Sequence, residues 1–199
     1  MEFIGSVDLV FLVQTVGLLG VLAVVFAESG LFIGFFLPGD SLLFTAGFLA
    51  SQGYFNIWFL AGGSFIAAVL GDSFGYAFGN KVGPAIFRRE GSLIFNPKNL
   101  ERSRKFYERY GSKTIVLARF MPIVRTFAPI LAGVGKMRYR VFLTYNLIGG
   151  FLWAVGLSVL GFYLGRLIPR ADRFILAVVA GIIFLSILPP VLHYLFRRR

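Results

Sequence analysis

Residues 28–52 read ESGLFIGFFLPGDSLLFTAGFLASQ, and this stretch decides the fold class. It is apolar almost throughout, yet Pro38, Gly39 and Asp40 stand near its middle. Proline removes a backbone N–H donor and glycine weakens a helix, so a straight helix across a membrane is disfavoured here. Backbone interrupted in this way is tolerated at membrane depth where other parts of the protein surround it. The stretch therefore predicts a re-entrant helical hairpin.

The composition around this stretch is that of a membrane protein. Of the 199 residues, 57% are hydrophobic and 15% are charged, whereas ordinary soluble domains are about 45–50% apolar. We predict an all-α integral membrane protein with about four transmembrane helices and two inverted re-entrant hairpins, in a single domain. Its parts are a first repeat at about 10–80, a basic amphipathic connection at 81–113, a second repeat at about 114–165 and a last span at 174–196.

Basic residues predict the orientation in the membrane, because loops rich in Lys and Arg stay in the cytoplasm. Nine of them occupy the connection at 81–113, and fifteen lie on the same side once residues 136–140 and the C-terminal triplet are included. Only Arg166, Arg170 and Arg173 lie on the other side. Both termini are therefore predicted to be cytoplasmic. The net charge of +11 follows from this distribution and does not indicate nucleic-acid binding, since the basic residues sit between apolar spans.

A second broken segment, residues 114–135, is also predicted to be a hairpin, because Pro122 and Pro129 interrupt it. The two segments align at an offset of 84 residues, which places Phe36-Leu37-Pro38 on Phe120-Met121-Pro122. Ala46-Gly47 and Ala132-Gly133 match slightly out of that register. One hairpin enters from outside and the other from inside, which is the inverted arrangement typical of secondary transporters. Binding sites in such proteins lie near the membrane midplane, where the broken helices meet.

Four charged residues fall in or beside the hairpins: Glu28, Asp40, Arg119 and Arg125. Each costs about 2.5–3.5 kcal/mol at a lipid-facing helix centre, so they are expected to pair or to line a polar chamber. A helix break at Pro122 lets both guanidinium groups converge on one phosphate, which Arg binds with two hydrogen bonds at once. The two carboxyl groups are candidate proton carriers. The alternative is a static set of ion pairs that holds the hairpins together.

A stripe of small residues precedes the basic connection. Gly71, Gly75, Gly79 and Gly83 recur every four residues, which predicts close packing of another helix. Asp72 lies beside them, and two roles are open for it: a structural hydrogen bond or an accessory role in transport. The chain has no cysteine and a single histidine, His193, so we expect no metal site and no cofactor. The tryptophans are assigned to packing or to a membrane-interface belt.

The motifs together resemble the DedA family of bacterial membrane proteins, the lipid transporters with a VTT domain. The matching residues are Phe26-Ala27-Glu28, Phe36-Leu37-Pro38-Gly39-Asp40, Gly71-Asp72 with Gly75-Tyr76 and Gly79, and Arg119-Phe120-Met121-Pro122 with Arg125 and Gly133. The resemblance covers roughly residues 10–165. It implies two inverted hairpins, movement of lipids such as undecaprenyl phosphate or phospholipids across the cytoplasmic membrane, and dependence on the proton-motive force. It also implies that the family's acidic pair falls on Glu28 and Asp40 and its arginines on Arg119 and Arg125.

The leading functional hypothesis is therefore a proton-coupled flippase for an anionic lipid. Arg119 and Arg125 hold the lipid phosphate, and Glu28 and Asp40 carry the proton. The alternatives are a flippase or passive scramblase for phosphatidylethanolamine and, outside transport, a membrane assembly scaffold. An enzyme is not expected, because the sequence has no HExxH motif, no GxSxG motif and no histidine near a candidate serine.

Overall fold

The computed structural model describes residues 9–31, 37–86, 111 and 113–167, and every regular element within these ranges is helical. The predicted all-α class is confirmed for this part of the chain. The helices are α1 (Leu9–Gly30), α2 (Gly39–Ser51), α3 (Ile57–Ile86), α4 (Thr114–Ala118), α5 (Pro122–Val134), α6 (Tyr139–Gly150) and α7 (Gly156–Leu167), with a π-helical turn (Phe151–Val155) joining the last two.

Two of the helical runs are long and apolar enough to cross a membrane. They cover Ile57–Val82, 26 residues, and Tyr139–Leu167, 29 residues. At 1.5 Å per residue each is longer than the roughly 30 Å hydrocarbon core. Large apolar side chains are exposed along both runs, as expected where lipid rather than water is the neighbour; they include Trp58, Phe59, Ile66, Leu70, Ile148, Phe151, Leu152 and Leu160.

The short helices α2 and α5 begin at the predicted breaks. Pro38 precedes the first residue of α2, and Pro122 is the first residue of α5, where its missing N–H costs nothing. Met121 has an extended backbone, so α4 and α5 are separate helices. Each short helix has 13 residues, which is about 20 Å and less than the thickness of the hydrocarbon core.

Each short helix packs on a long helical run from the other half of the chain. Helix α2 lies against α7, where a Cβ atom on Gly47 would overlap the Ser158 carbonyl. Helix α5 lies against α3 in the same way, since a Cβ on Gly133 would overlap the Tyr76 carbonyl. The contacts are reciprocal, because Gly161 lies against α2 and Gly79 against α5. Glycine is needed at these positions because two helix backbones touch there.

Apolar clusters on both sides of the bundle complete the packing. The larger one joins α1, α2, α3 and the π-helical turn through side chains that include Val25, Leu42, Leu43, Leu49, Leu60 and Trp153. The smaller one joins α3, α4, α5 and α6 through Tyr76, Ile115, Ala132 and Phe142, and the rings of Tyr76 and Phe142 stack with centroids 4.7 Å apart. These clusters fix the positions of the short helices.

Two backbone features differ from the predictions. Pro129 does not break the second segment, because α5 continues through it to Val134. Proline removes only one intrahelical bond, and close packing of the following turn on α3 holds the helix in place. Helix α1 contains a kink at Gly17, with φ 66°, which the sequence did not predict. The predicted last span at 174–196 and most of the connection at 81–113 lie outside the described residues.

Candidate functional site

Three helices bring two carboxyl groups to one arginine. Glu28 lies in the last turn of α1, Asp40 in the first turn of α2 and Arg125 in the first turn of α5. Arg125 forms an ion pair with Glu28 through Nη2, and its Nη1 donates to Asp40 Oδ1 at 2.7 Å. We call Glu28, Asp40 and Arg125 the Arg125 cluster. Arg125 is 85 residues from Asp40 in the sequence and further from Glu28, so the cluster forms only when the two halves of the chain pack together.

The two carboxyl groups of the cluster differ in their surroundings. Glu28 is 0% exposed, whereas the Asp40 side chain is 36% exposed. The Glu28 carboxylate lies over the first residue of α2, where a Cβ atom on Gly39 would overlap it. The positive end of a helix dipole favours a negative charge at this place. Asp40 is therefore the open edge of the cluster and Glu28 its buried side.

The Arg125 cluster holds more acidic than basic groups. With both carboxyl groups ionised, two negative charges face a single positive charge, so the cluster carries one excess negative charge. Charges buried in a low-dielectric interior are stable only when they are balanced. One bound proton would balance this cluster.

Arg119 forms a separate and balanced group. Its Nη2 donates to Asp72 in an ion pair and to Asn146 Oδ1 at 2.6 Å. The amide of Asn146 donates in turn to the Val69 carbonyl at 3.1 Å. Asp72, Arg119 and Asn146 are all buried. Asp72 and Arg119 thus pair within the protein interior.

Trp153 contacts both groups. Its indole Nε1 donates to Asp40 Oδ1 at 2.6 Å. Its ring centroid lies 5.0 Å from Cζ of Arg125 and 5.7 Å from Cζ of Arg119, distances at which a guanidinium is attracted to an aromatic ring. The residue is buried and belongs to the π-helical turn, a feature often found at functional sites.

The structure brings Glu28, Asp40, Arg119 and Arg125 to one region, with Trp153 in contact with both arginines. Here the two guanidinium groups bind different carboxyl groups, and their convergence on one phosphate stays a prediction for a lipid-bound state. The stripe glycines Gly71, Gly75 and Gly79 lie against neighbouring helices, Gly71 on α1 and Gly79 on α5, with Gly75 close to both. Gly83 lies further along α3.

Two residues of the site were missed in the sequence. Asn146 is a polar side chain within an apolar run, which is a readable signal for a buried hydrogen bond. Trp153 was assigned no chemistry, and its only signal is that a buried indole N–H needs an acceptor. Within the described ranges, no group of three His, Cys, Asp or Glu residues is placed to hold a metal ion.

The chain is similar in sequence to a known domain family and to several bacterial membrane proteins. The VTT domain matches residues 37–163. Protein DedA of Escherichia coli (strain K12) is 43% identical over 178 residues, which is 88% of this chain and 81% of that protein. An uncharacterized membrane protein of Mycobacterium leprae (strain TN) is 42% identical over 168 residues, 84% of this chain and 75% of that protein. An uncharacterized membrane protein of Mycobacterium tuberculosis (strain ATCC 25618 / H37Rv) is 42% identical over 172 residues, with coverages of 85% and 75%. No solved structure matches the chain.

Proposed function

Since the chain belongs to the DedA family of VTT-domain membrane proteins, we propose that it is a proton-motive-force-dependent lipid transporter. Its substrate is an anionic lipid carrier such as undecaprenyl phosphate, which it moves across the bacterial cytoplasmic membrane. The observation that carries the proposal is the Arg125 cluster, in which two carboxyl groups share one arginine inside a membrane protein. Ionisable groups at membrane depth are costly and mark transport pathways and proton relays.

The excess carboxyl group supports proton coupling. Glu28 and Asp40 together need one proton to balance Arg125, and a proton bound there on one side of the membrane is released on the other. Asp40 is the open group of the two, so proton exchange begins at Asp40. Protons are thus the coupling ion in this proposal, and Glu28 keeps Arg125 in place.

The arginines support an anionic substrate. A guanidinium group binds phosphate through two parallel N–H donors, which gives geometric selectivity for the headgroup. Arg125 lies beside the partly exposed Asp40, where a headgroup arrives, and Arg119 contacts the same Trp153 ring as Arg125. In this proposal Arg125 is the primary phosphate ligand and Arg119 the second.

The reciprocal packing of the short helices supports two inverted re-entrant hairpins. Gly47 and Gly133 are 86 residues apart and make equivalent contacts with α7 and α3, as an internal repeat would. Both short helices are shorter than the hydrocarbon core is thick, and a proline marks the start of each: Pro38 precedes α2 and Pro122 is the first residue of α5. We take four full spans with both termini cytoplasmic as the matching topology. The chain acts as a transporter rather than as an enzyme in this proposal.

Reconstitution in liposomes tests the function. Purified protein in vesicles containing undecaprenyl phosphate should move the lipid between leaflets, faster with an imposed pH gradient than without one. Glu28→Gln and Asp40→Asn keep side-chain size and should abolish the response to the gradient while the protein remains folded. Arg166→Gln is the matched control, because it removes an exposed charge away from the Arg125 cluster.

Three results would contradict the proposal. Lipid movement that ignores the gradient in the parent protein would indicate passive scrambling. Preference for phosphatidylethanolamine over the phosphate lipid would change the substrate class. Full transport by both carboxyl variants would indicate static ion pairs.

A further inference from the structure

The hydrogen bond from Trp153 to Asp40 leads to a further inference, which rests on the proposed function. We infer that the lipid phosphate takes the place of Asp40 on Arg125, and that Trp153 is the positioning residue that holds the released Asp40. The substrate class is a lipid phosphate monoester, and the exchange occurs at the open edge of the Arg125 cluster.

Exposure selects Asp40 as the group that is displaced. The two carboxyl groups occupy different nitrogens of Arg125, Asp40 on Nη1 and Glu28 on Nη2. Glu28 is fully buried against Gly39, whereas about a third of the Asp40 side chain is accessible. An incoming headgroup therefore reaches Nη1 first.

Arg119 is less suited to be the first ligand. The same nitrogen, Nη2, already donates to Asp72 and to Asn146, and the residue is 4% exposed. A phosphate that approached Arg119 first would have to enter the protein interior and place its charge beside the carboxyl group of Asp72, which is unfavourable.

Trp153 supplies a hydrogen-bond donor to the carboxyl group that Arg125 releases. A partly buried carboxyl group left without a donor pays a large desolvation penalty. Asp40 Oδ1 accepts from both Arg125 Nη1 and Trp153 Nε1, at 2.7 and 2.6 Å, so the indole donor remains when the guanidinium leaves. The ring also contacts the Arg125 guanidinium through its π system, an attraction that does not involve Asp40. Trp153 thus supports both partners of the exchanged bond.

Charge balance then links the exchange to proton uptake. A phosphate monoester carries about 1.5 to 2 negative charges near neutral pH. Added to the excess charge of the Arg125 cluster, it would leave at least two unbalanced negative charges beside Arg119, Arg125 and Trp153. A proton on the released Asp40 removes one of them, so phosphate binding and proton binding occur together.

Binding measurements in detergent test this inference with farnesyl phosphate as the probe. Asp40→Asn removes the competitor for Arg125 and should bind the probe about tenfold more tightly than the parent, although it does not transport. This outcome is unusual for a site residue, and it does not depend on how Trp153 variants fold. Inorganic phosphate, used as a second probe, should bind more weakly than farnesyl phosphate.

Trp153→Phe keeps an aromatic ring and removes the N–H donor. It should weaken probe binding about fivefold, as expected for the loss of a hydrogen bond to an uncharged group, because Trp153 is the donor that remains to Asp40 once Arg125 binds the phosphate. In the Asp40→Asn background the same change should have little further effect, because the carboxyl group that Arg125 releases is gone. Trp58→Phe is the matched control, since Trp58 is 82% exposed and should be neutral.

The outcomes separate the inference from the proposed function. Failure of the parent to bind farnesyl phosphate would overturn both. If the parent binds farnesyl phosphate and Asp40→Asn does not bind it more tightly, the exchange alone would be overturned. The exchange would also be overturned if Trp153→Phe lowers the affinity equally with and without Asp40→Asn, since that result indicates a packing role for Trp153. Equal affinity for inorganic phosphate would overturn the assignment of a lipid substrate.

Discussion

Removal of the Arg125 guanidinium is the most direct perturbation of the site. Arg125→Met keeps the length of the side chain and leaves Glu28 and Asp40 without their cation. Breaking a buried ion pair from one side costs about 3–5 kcal/mol. The loss should be larger at about pH 8 than at about pH 5, because an unpaired carboxyl group sheds its charge only by binding a proton.

The two carboxyl groups should share this loss unequally. Glu28 is fully buried, so removing its charge by Glu28→Gln should reduce the cost of Arg125→Met by about 1.5–3 kcal/mol, the range for a charged hydrogen bond. Asp40 is partly exposed, so Asp40→Asn should reduce it by no more than about 1 kcal/mol. These differences are coupling energies from double-mutant cycles.

Equilibrium unfolding in mixed micelles, followed by circular dichroism, gives the free energy of unfolding of each variant. Equal coupling energies for the two pairs would refute the distinction between a buried and an open carboxyl group. A cost below about 1 kcal/mol for Arg125→Met would refute the ion pairing itself, since that is the value for exposed pairs.

Three further predictions concern topology, packing and the second arginine. Because the chain has no cysteine, Tyr54→Cys and Arg140→Cys should react with a membrane-impermeant maleimide from opposite sides in whole cells and inverted vesicles, and labelling from one side would contradict the topology. Gly133→Ala should destabilise by about 1–3 kcal/mol in the same unfolding assay, because its Cβ would overlap a carbonyl of α3. The control Gly62→Ala has open space and should be neutral or stabilising; equal effects would refute the packing. Arg119→Lys should keep most of the protein's stability, because one nitrogen makes both of the side-chain hydrogen bonds, and a loss as large as that of Arg125→Met would refute this.

Local chemistry made part of the fold predictable. Pro38 and Pro122 act on their own backbone, so the starts of α2 and α5 were readable from the sequence. The long apolar runs were equally readable from the composition of the chain. The kink at Gly17 was not, since glycine permits a left-handed conformation without requiring it.

The charged residues of the site were predictable, whereas their pairing was not. The cost of charge at membrane depth singled out Glu28, Asp40 and Arg125, and it required them to find partners. Which arginine meets which carboxyl group depends on how the two halves pack, and no spacing within either half contains that information. The contacts of Trp153 have the same origin, because the π-helical turn and the packing of α2 on α7 jointly aim its ring.

The exchanged packing of the short helices divides the residues of the site between two units, each a set of helices that pack closely on one another. Helices α2 and α7 form one unit, which carries Asp40 and, in the adjoining π-helical turn, Trp153. Helices α3 and α5, with α1 packed on α3, form the other, which carries Glu28 and Arg125. A rocking motion of one unit against the other would draw Asp40 and Trp153 away together and leave Glu28 on Arg125. Asp40 would then occupy Arg125 in one orientation of the two units and leave the guanidinium group accessible to the proposed lipid phosphate in the other.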